Sequence, residues 1–101
     1  MARYRMEDGT VLDTQNASQS WREARDHDGS NWISRATGSQ WIHETLYRSR
    51  RGRYYLERTS QWQGSRPSAE WISHRAAASW LLANEHEVPE DLVKEAEEVS
   101  E

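Results

Sequence analysis

The sequence predicts an α+β domain, in which a twisted antiparallel sheet of about four to five strands carries a C-terminal helix packed on one face and a second short acidic helix. Short segments rich in β-branched and aromatic residues alternate with turn residues, and one alanine-rich segment has helical periodicity. The chain also holds six tryptophans but no phenylalanine or cysteine. Leucine, isoleucine and valine together number only thirteen, so the indoles must supply much of the buried area.

A length of 101 residues is that of a single domain. We expect residues 1–92 to form this domain and residues 93–101 to form an acidic tail that frays. Without cysteine, disulfides and thiolate metal sites are excluded. No apolar run is long enough to span a bilayer, and the N-terminus lacks the apolar stretch of a signal peptide, so we expect a cytoplasmic protein.

The N-terminal part of the chain carries hairpin and strand signals. Residues 3–13 predict a hairpin around Asp8-Gly9, a dipeptide typical of a two-residue type I′ turn, in which both central positions need positive φ. For residues 21–28 a helical turn and a strand fit equally well. Residues 32–36 are predicted to form a short strand, between turns.

A central hairpin is the clearest β element. Residues 41–49 and 54–62 are rich in aromatic and β-branched residues and flank an arginine-rich turn. A tight turn centred on residues 51–52 would place Tyr47 opposite Leu56. A slip by one residue would exchange the two faces between the strands, so this register decides which side chains share a face.

The C-terminal third predicts a short strand followed by two helices. Residues 69–72 form the strand, and Ser73 is a good N-cap for a helix over residues 74–83. Asn84 can end that helix in the left-handed conformation. Residues 89–98 restart a helix, with proline in the first turn and acidic residues near its positive end.

The tryptophans divide into core and undecided positions. Trp41 and Trp62 are predicted to stack as a cross-strand pair, with Trp80 of the helix packing on them. The sequence leaves two positions open for the other three tryptophans: the core, or an interface with a partner such as a second copy in a homodimer. These are Trp21, Trp32 and Trp71.

Charge is unevenly distributed along the chain. Residues 1–84 carry a net charge of +3 and residues 85–101 a net charge of −7, which gives the total of −4. The simpler interpretation of the acidic segment is a solvated helix, and the alternative is a surface that mimics nucleic acid. The candidate acidic surface consists of Glu85, Glu87, Glu90, Asp91 and Glu95.

The basic hairpin is the main candidate binding site. Guanidinium groups bind phosphates and carboxylates bidentately, and tyrosine rings stack on bases. A charged hairpin edge that prevents strand-to-strand aggregation is the structural alternative. The candidate binding residues are Arg48, Arg50, Arg51, Arg53, Tyr54, Tyr55 and Arg58.

Catalytic and metal-binding motifs are missing from the sequence. The four histidines, His27, His43, His74 and His86, do not form an HxxxH or HExxH pattern. The chain has no GxSxG nucleophile elbow and no glycine-rich phosphate loop. We therefore predict no cofactor, no metal and no enzyme activity, with a small hydrolase kept as an alternative.

The chain contains the short motifs WISxATGSQW at 32–41, HExLYRS at 43–49, SQWQGS at 60–65 and WLLxN at 80–84. They resemble motifs of a group of small tryptophan-rich prokaryotic proteins from phages, plasmids and other accessory regions. The resemblance covers about residues 30–92. It implies no catalytic residue and no cofactor, and it favours an accessory protein, such as a nuclease inhibitor, that binds a host or defence component.

Together these observations predict a small non-enzymatic binding protein. The partner we expect is a host protein, such as a nucleic-acid-processing defence complex, that the protein inhibits. The alternative is a nucleic-acid-binding module that uses the basic aromatic hairpin 47–58. The overall negative charge disfavours non-specific DNA binding. We expect no membrane association.

Overall fold

The computed structural model describes residues 3–27, 32–34, 42–60 and 66–100, with the backbone alone at 25–27 and 32–34. The strands in these ranges are β1 Arg3–Arg5, β2 Val11–Asp13, β3 Gln19–Arg22, β4 Arg25–His27, β5 Trp32–Ser34, β6 Ile42–Arg48, β7 Tyr54–Ser60 and β8 Ser68–Ile72. The helices are α1 His74–Ala83 and α2 Val93–Val99, and short 3-10 turns lie at Thr14–Asn16 and Glu90–Leu92.

An antiparallel four-stranded sheet in the order β3-β6-β7-β8 organises the molecule. β1 with β2, and β4 with β5, form separate two-stranded antiparallel hairpins. The predicted α+β class is therefore confirmed. For residues 21–28 the sequence allowed a helical turn or a strand. The structure has strands there, since β3 ends at Arg22 and β4 covers Arg25–His27.

The predicted register of the central hairpin is wrong by one residue. Tyr47 pairs with Tyr55, and Leu56 pairs with Leu46. Ser49 N–H donates to the carbonyl of Arg53 at 2.7 Å, which closes a three-residue loop over 50–52 instead of a two-residue turn. Even-numbered residues of β6 and β7 therefore share one face of the sheet, because paired residues point to the same side. The predicted Trp41–Trp62 pair lies outside the described residues.

The loop of the central hairpin contains glycine for a conformational reason. Gly52 has a φ of 85°, and its N–H donates to the Ser49 carbonyl at 3.0 Å. A type I turn followed by one left-handed glycine is the common three-residue hairpin loop. A residue with a side chain would be strained at this φ.

The N-terminal hairpin is confirmed, but its predicted two-residue type I′ turn is wrong, because this loop also has three residues. Gly9 has a φ of 87°, and among the described non-glycine residues only Glu85 has a positive φ, so Asp8 does not. Met6 N–H donates to the Thr10 carbonyl at 2.7 Å, and Gly9 N–H donates back to Met6 at 2.9 Å. The two hairpins thus share one loop design, in which only the last loop residue is left-handed.

One face of the sheet, which we call the helix face, packs against α1 and α2. Helix α1 begins as predicted, since the Ser73 hydroxyl accepts a hydrogen bond from the Ala76 N–H at 3.0 Å. Trp21 of β3 stacks on Tyr54 at 6.1 Å between ring centroids. Alanines at the contact let the helix approach the strands closely. The buried core consists of Leu46, Tyr54, Ala77, Ala78, Trp80, Leu81, Leu92 and Ala96.

The end of α1 differs from its predicted form. Asn84 has a φ of −100°, and the left-handed residue is Glu85, with a φ of 61°. His86 N–H donates to the Leu81 carbonyl at 2.9 Å, and Glu85 N–H donates to Leu82 at 3.1 Å. This is the Schellman arrangement, with Glu85 where glycine is usual.

The side chain of Asn84 explains why it does not take the left-handed position itself. Its amide donates to the Trp80 carbonyl at 2.8 Å, and its oxygen accepts from the Ala24 N–H at 2.8 Å. Asn84 is buried, so these two bonds satisfy polar groups away from water. The residue therefore joins the end of α1 to the segment that follows β3.

Helix α2 and the 3-10 turn before it contribute side chains to the core beside α1. Leu92, at the end of the preceding 3-10 turn, is fully buried, and Ala96 of α2 belongs to the core. The predicted second helix is confirmed, as the 3-10 turn Glu90–Leu92 followed directly by α2, which covers residues 93–99 of the expected tail. No helix in the described part of the chain is long and apolar enough to cross a membrane.

Candidate functional site

The second face of the sheet, which we call the hairpin face, carries the β1–β2 hairpin. The Tyr4 hydroxyl of β1 donates to one oxygen of the Glu57 carboxylate on β7. The Tyr47 hydroxyl of β6 donates to the other oxygen at 3.4 Å. One carboxylate thus fixes the N-terminal hairpin against the central strands. Desolvation by burial, followed by this contact with Glu57, raises the pKa of Tyr4.

Aromatic rings on the hairpin face pack on one another. Tyr47 and Tyr55 stack with centroids 5.2 Å apart and an interplanar angle of 13°. Trp71 of β8 meets Tyr55 edge-on at 5.8 Å. The Arg53 guanidinium lies 3.7 Å from the centre of the Trp71 ring, a cation–π contact. These contacts occupy ring surfaces that would otherwise be available for stacking on a ligand.

A cleft of about 700 Å³ opens between the β1–β2 hairpin and the loop that joins β6 to β7. We call it the arginine cleft, because four arginines line it and Asp13 is the only carboxylate among its lining residues. Those arginines are Arg3, Arg50, Arg51 and Arg53. A cavity of this size falls in the range of natural ligand pockets.

The four arginines differ in their protein contacts. Arg3 Nε lies 3.5 Å from Asp13 Oδ2, and Arg53 Nη1 donates to Asp8 Oδ2 at 3.1 Å. Arg50 and Arg51 are exposed and make no ion pair with any part of the chain that the structure describes. They are therefore the guanidinium groups most available to a ligand.

Asp8, the ion-pair partner of Arg53, is held in its charged form. The Thr10 backbone N–H, then the Thr10 side chain, then Arg53 keep the pKa of the Asp8 carboxyl well below its usual range. The indole N–H of Trp71 adds least to this effect and falls outside hydrogen-bond geometry. The Asp8 charge offsets that of Arg53, which is already committed to Trp71.

The hydroxyl of Tyr55 is the unusual group of the cleft. Tyr55 is 1% exposed and lines the arginine cleft, yet its buried hydroxyl makes no hydrogen bond. Burial raises the pKa of Tyr55 to about 12, and the charges of Tyr47 and Glu57 add to the shift. The group is therefore a protonated donor at neutral pH. A buried donor without a partner costs free energy, which a ligand oxygen would recover.

Three of the seven predicted binding residues lie on the helix face instead. Arg48 Nε lies 3.3 Å from Asp91 Oδ2, and Arg58 contacts Glu44 Oε2 at 2.6 Å. Tyr54 is fully buried, and its hydroxyl donates to Asp91 at 2.9 Å. Burial and this bond raise the pKa of Tyr54. The seven residues are therefore divided between the two faces of the sheet, because alternate strand residues point to opposite faces.

The remaining predicted binding residues are Arg50, Arg51, Arg53 and Tyr55, and all four line the arginine cleft. Of these, Tyr55 is buried rather than exposed for stacking. The cleft also uses Arg3, which the sequence did not indicate, and Trp71, for which a core and an interface position were both open. Strand pairing brings Trp71 beside Tyr55, whereas Arg3 reaches the cleft because the β1–β2 hairpin lies against the sheet.

The predicted acidic surface lies on the side of the helices. Glu85, Glu87 and Glu90 are exposed, and Glu95 is half-buried. Asp91 accepts hydrogen bonds from Arg48 and Tyr54, so it joins the 3-10 turn before α2 to the central hairpin. The acidic residues and the arginine cleft therefore occupy different sides of the sheet.

A buried polar network near the start of β6 was not foreseen. The Glu23 carboxylate accepts from the Glu44 N–H at 2.8 Å and pairs with Nδ1 of His43. Glu44 Oε1 accepts from the Trp80 indole at 3.3 Å. Strand β3 ends at Arg22, so the Glu23 side chain, and not a backbone carbonyl, accepts the hydrogen bond from the Glu44 N–H. The network therefore has a structural role. Nothing in the sequence marks it, since Glu23 stands in an ordinary polar segment.

No group of three metal-ligating side chains occurs among the described residues. Comparison with family models, with curated proteins and with solved structures found no match to this chain.

Proposed function

We propose that the protein is a non-enzymatic binding protein that recognises an acidic segment of a partner protein through the arginine cleft. The observation that carries the proposal is the pair Arg50 and Arg51, exposed at the cleft without an ion pair among the described residues. Guanidinium groups in this state bind carboxylates bidentately with little loss of existing contacts.

A protein partner is favoured over nucleic acid by the packing of the aromatic residues. Binding of single strands depends on bases that stack on exposed rings, but Tyr54 and Tyr55 are buried and Arg53 lies over one face of Trp71. The net charge of −4 would also repel a long polyanion from the acidic side. A short acidic segment needs only the local positive field of the cleft.

The finer role that we propose is that of a phage or mobile-element accessory protein, which inhibits a nucleic-acid-processing complex of the host. This step rests on the resemblance of the tryptophan-containing motifs. A protein that binds an acidic segment would inhibit by occupying a surface that its target needs. The proposed cellular location is the cytoplasm.

The test reverses the charge of the two cleft arginines. In R50E/R51E, repulsion adds to the lost hydrogen bonds, so binding of a glutamate-rich peptide should fall below detection by isothermal titration calorimetry. The matched control is R66E/R75E, which changes net charge equally at two exposed arginines that do not line the cleft. Both variants should keep the wild-type circular dichroism spectrum, because exposed substitutions rarely alter folding.

Three results would contradict the proposal. Equal peptide affinity for wild type and R50E/R51E would remove the arginine cleft. Tighter binding of duplex DNA than of the peptide, with affinity that falls steeply as salt rises, would favour the nucleic-acid-binding alternative. Hydrolase turnover by the purified protein would contradict the non-enzymatic assignment.

A further inference from the structure

We propose that the acidic group held in the arginine cleft is a phosphate monoester on a side chain of the partner protein, and not an aspartate or glutamate carboxylate. This inference rests on the proposed function, since it concerns the same cleft. It follows from three features of the cleft: its charge, the placement of its donors and its remaining space.

The charge of the cleft matches a dianion. Asp13 and Asp8 offset Arg3 and Arg53, which leaves Arg50 and Arg51 as two positive charges without a protein counter-charge among the described residues. A carboxylate carries one negative charge. A phosphate monoester carries about −1.5 to −2 at neutral pH, so it neutralises both arginines.

The donors that line the cleft differ in burial and in their place in the fold. Arg50 and Arg51 are exposed residues of the loop between β6 and β7, whereas Tyr55 lies in the strand that follows and is buried. A carboxylate is planar, and its two oxygens prefer donors that lie close to that plane. A tetrahedral phosphate has three terminal oxygens. It can therefore accept from the two guanidinium groups and from the Tyr55 hydroxyl, which has no bond within the protein.

The cleft also has room for more than one side chain. Its volume of about 700 Å³ exceeds what a phosphate group alone occupies. Val11 lines the cleft and is 67% exposed, so it offers an apolar contact to a residue beside the phosphorylated one. A nucleotide would need a free aromatic face for its base, and Arg53 lies over one face of Trp71.

The experiment compares three peptides with the same glutamate-rich flanks and a central serine, phosphoserine or glutamate. Calorimetry should show the phosphoserine peptide binding wild-type protein roughly tenfold or more tightly than the glutamate peptide, as expected for additional charge-assisted hydrogen bonds. Y55F should reduce this preference by roughly tenfold, because a phosphate oxygen then loses the Tyr55 donor. The circular dichroism spectrum and melting temperature of Y55F show whether its fold is intact.

The outcomes separate this inference from the proposed function. Equal affinity for the phosphoserine and glutamate peptides would overturn the phosphate assignment and leave the acidic-segment proposal standing. An unchanged preference in a folded Y55F would overturn it as well. Failure of all three peptides would overturn both proposals. A 5′-phosphorylated oligonucleotide that binds more tightly than the phosphoserine peptide would assign the phosphate to nucleic acid and overturn the protein-borne source.

Discussion

The two faces of the central sheet use the same kinds of side chain in different ways. On the helix face, the hydroxyl of Tyr54 and the indole N–H of Trp80 both donate to carboxylates. On the hairpin face, the hydroxyl of Tyr55 and the indole N–H of Trp71 are buried without a hydrogen bond. Stability alone favours paired groups. Tyr4 and Tyr47 on the hairpin face do donate to a carboxylate, that of Glu57. The difference therefore lies in the Tyr55 hydroxyl, which under our proposal is left for a ligand.

The largest effect should come from the apolar core of the helix face. Leu81 is fully buried against the sheet, so L81A should lower the free energy of unfolding by about 2–5 kcal/mol. Its neighbour Leu82 is 39% exposed, and L82A should cost far less. Urea denaturation followed by circular dichroism measures both. Equal losses would show that α1 does not pack through the Leu81 side.

The buried carboxylate of the helix face should have the next largest effect. Glu44 accepts from Trp80 and from Arg58, and E44Q replaces an accepting oxygen with an amide nitrogen. We expect a loss of about 1–3 kcal/mol in unfolding free energy. The control is E70Q, an exposed carboxylate on the same face, which should change stability by less than about 0.5 kcal/mol. If E44Q is as stable as E70Q, the network is not a stabilising feature.

Local sequence signals predicted the elements of the fold better than the pairing between them. The N-cap Ser73 and the apolar spacing of residues 74–83 defined α1 with its observed bounds. The hairpins were also predictable, because Asp8-Gly9 and Arg51-Gly52 mark turns. Both loops, however, have three residues, and a glycine fits the last position of such a loop as well as it fits a type I′ turn. A one-residue change in loop length then shifted every pair between β6 and β7.

The same shift explains what the sequence could and could not predict about the site. Arg50 and Arg51 lie in the loop itself, so they are exposed in either register. Tyr54 and Arg58 lie on the strand, where the register decides their face, and they fell on the helix face. Arg3 and Trp71 entered the cleft through contacts between distant parts of the chain, for which the sequence contains no local signal.

The comparison of the two faces can be tested most directly at two adjacent tyrosines of β7. Tyr54 and Tyr55 are almost equally buried, at 0% and 1% exposure, and each loses only a hydroxyl in Y54F or Y55F. The Tyr54 hydroxyl donates to Asp91, so Y54F should lose about 1–2 kcal/mol of unfolding free energy. Y55F removes an unpaired group, so its stability should stay within about 0.5 kcal/mol of wild type or rise.

The decisive measurement determines unfolding free energy and affinity for the phosphoserine peptide on both variants. The account predicts that Y54F is destabilised and binds the peptide like wild type, whereas Y55F is as stable as wild type and binds roughly tenfold more weakly. The reverse pattern, with Y55F destabilised and its affinity unchanged, would contradict the division between a stabilising helix face and a ligand-binding hairpin face.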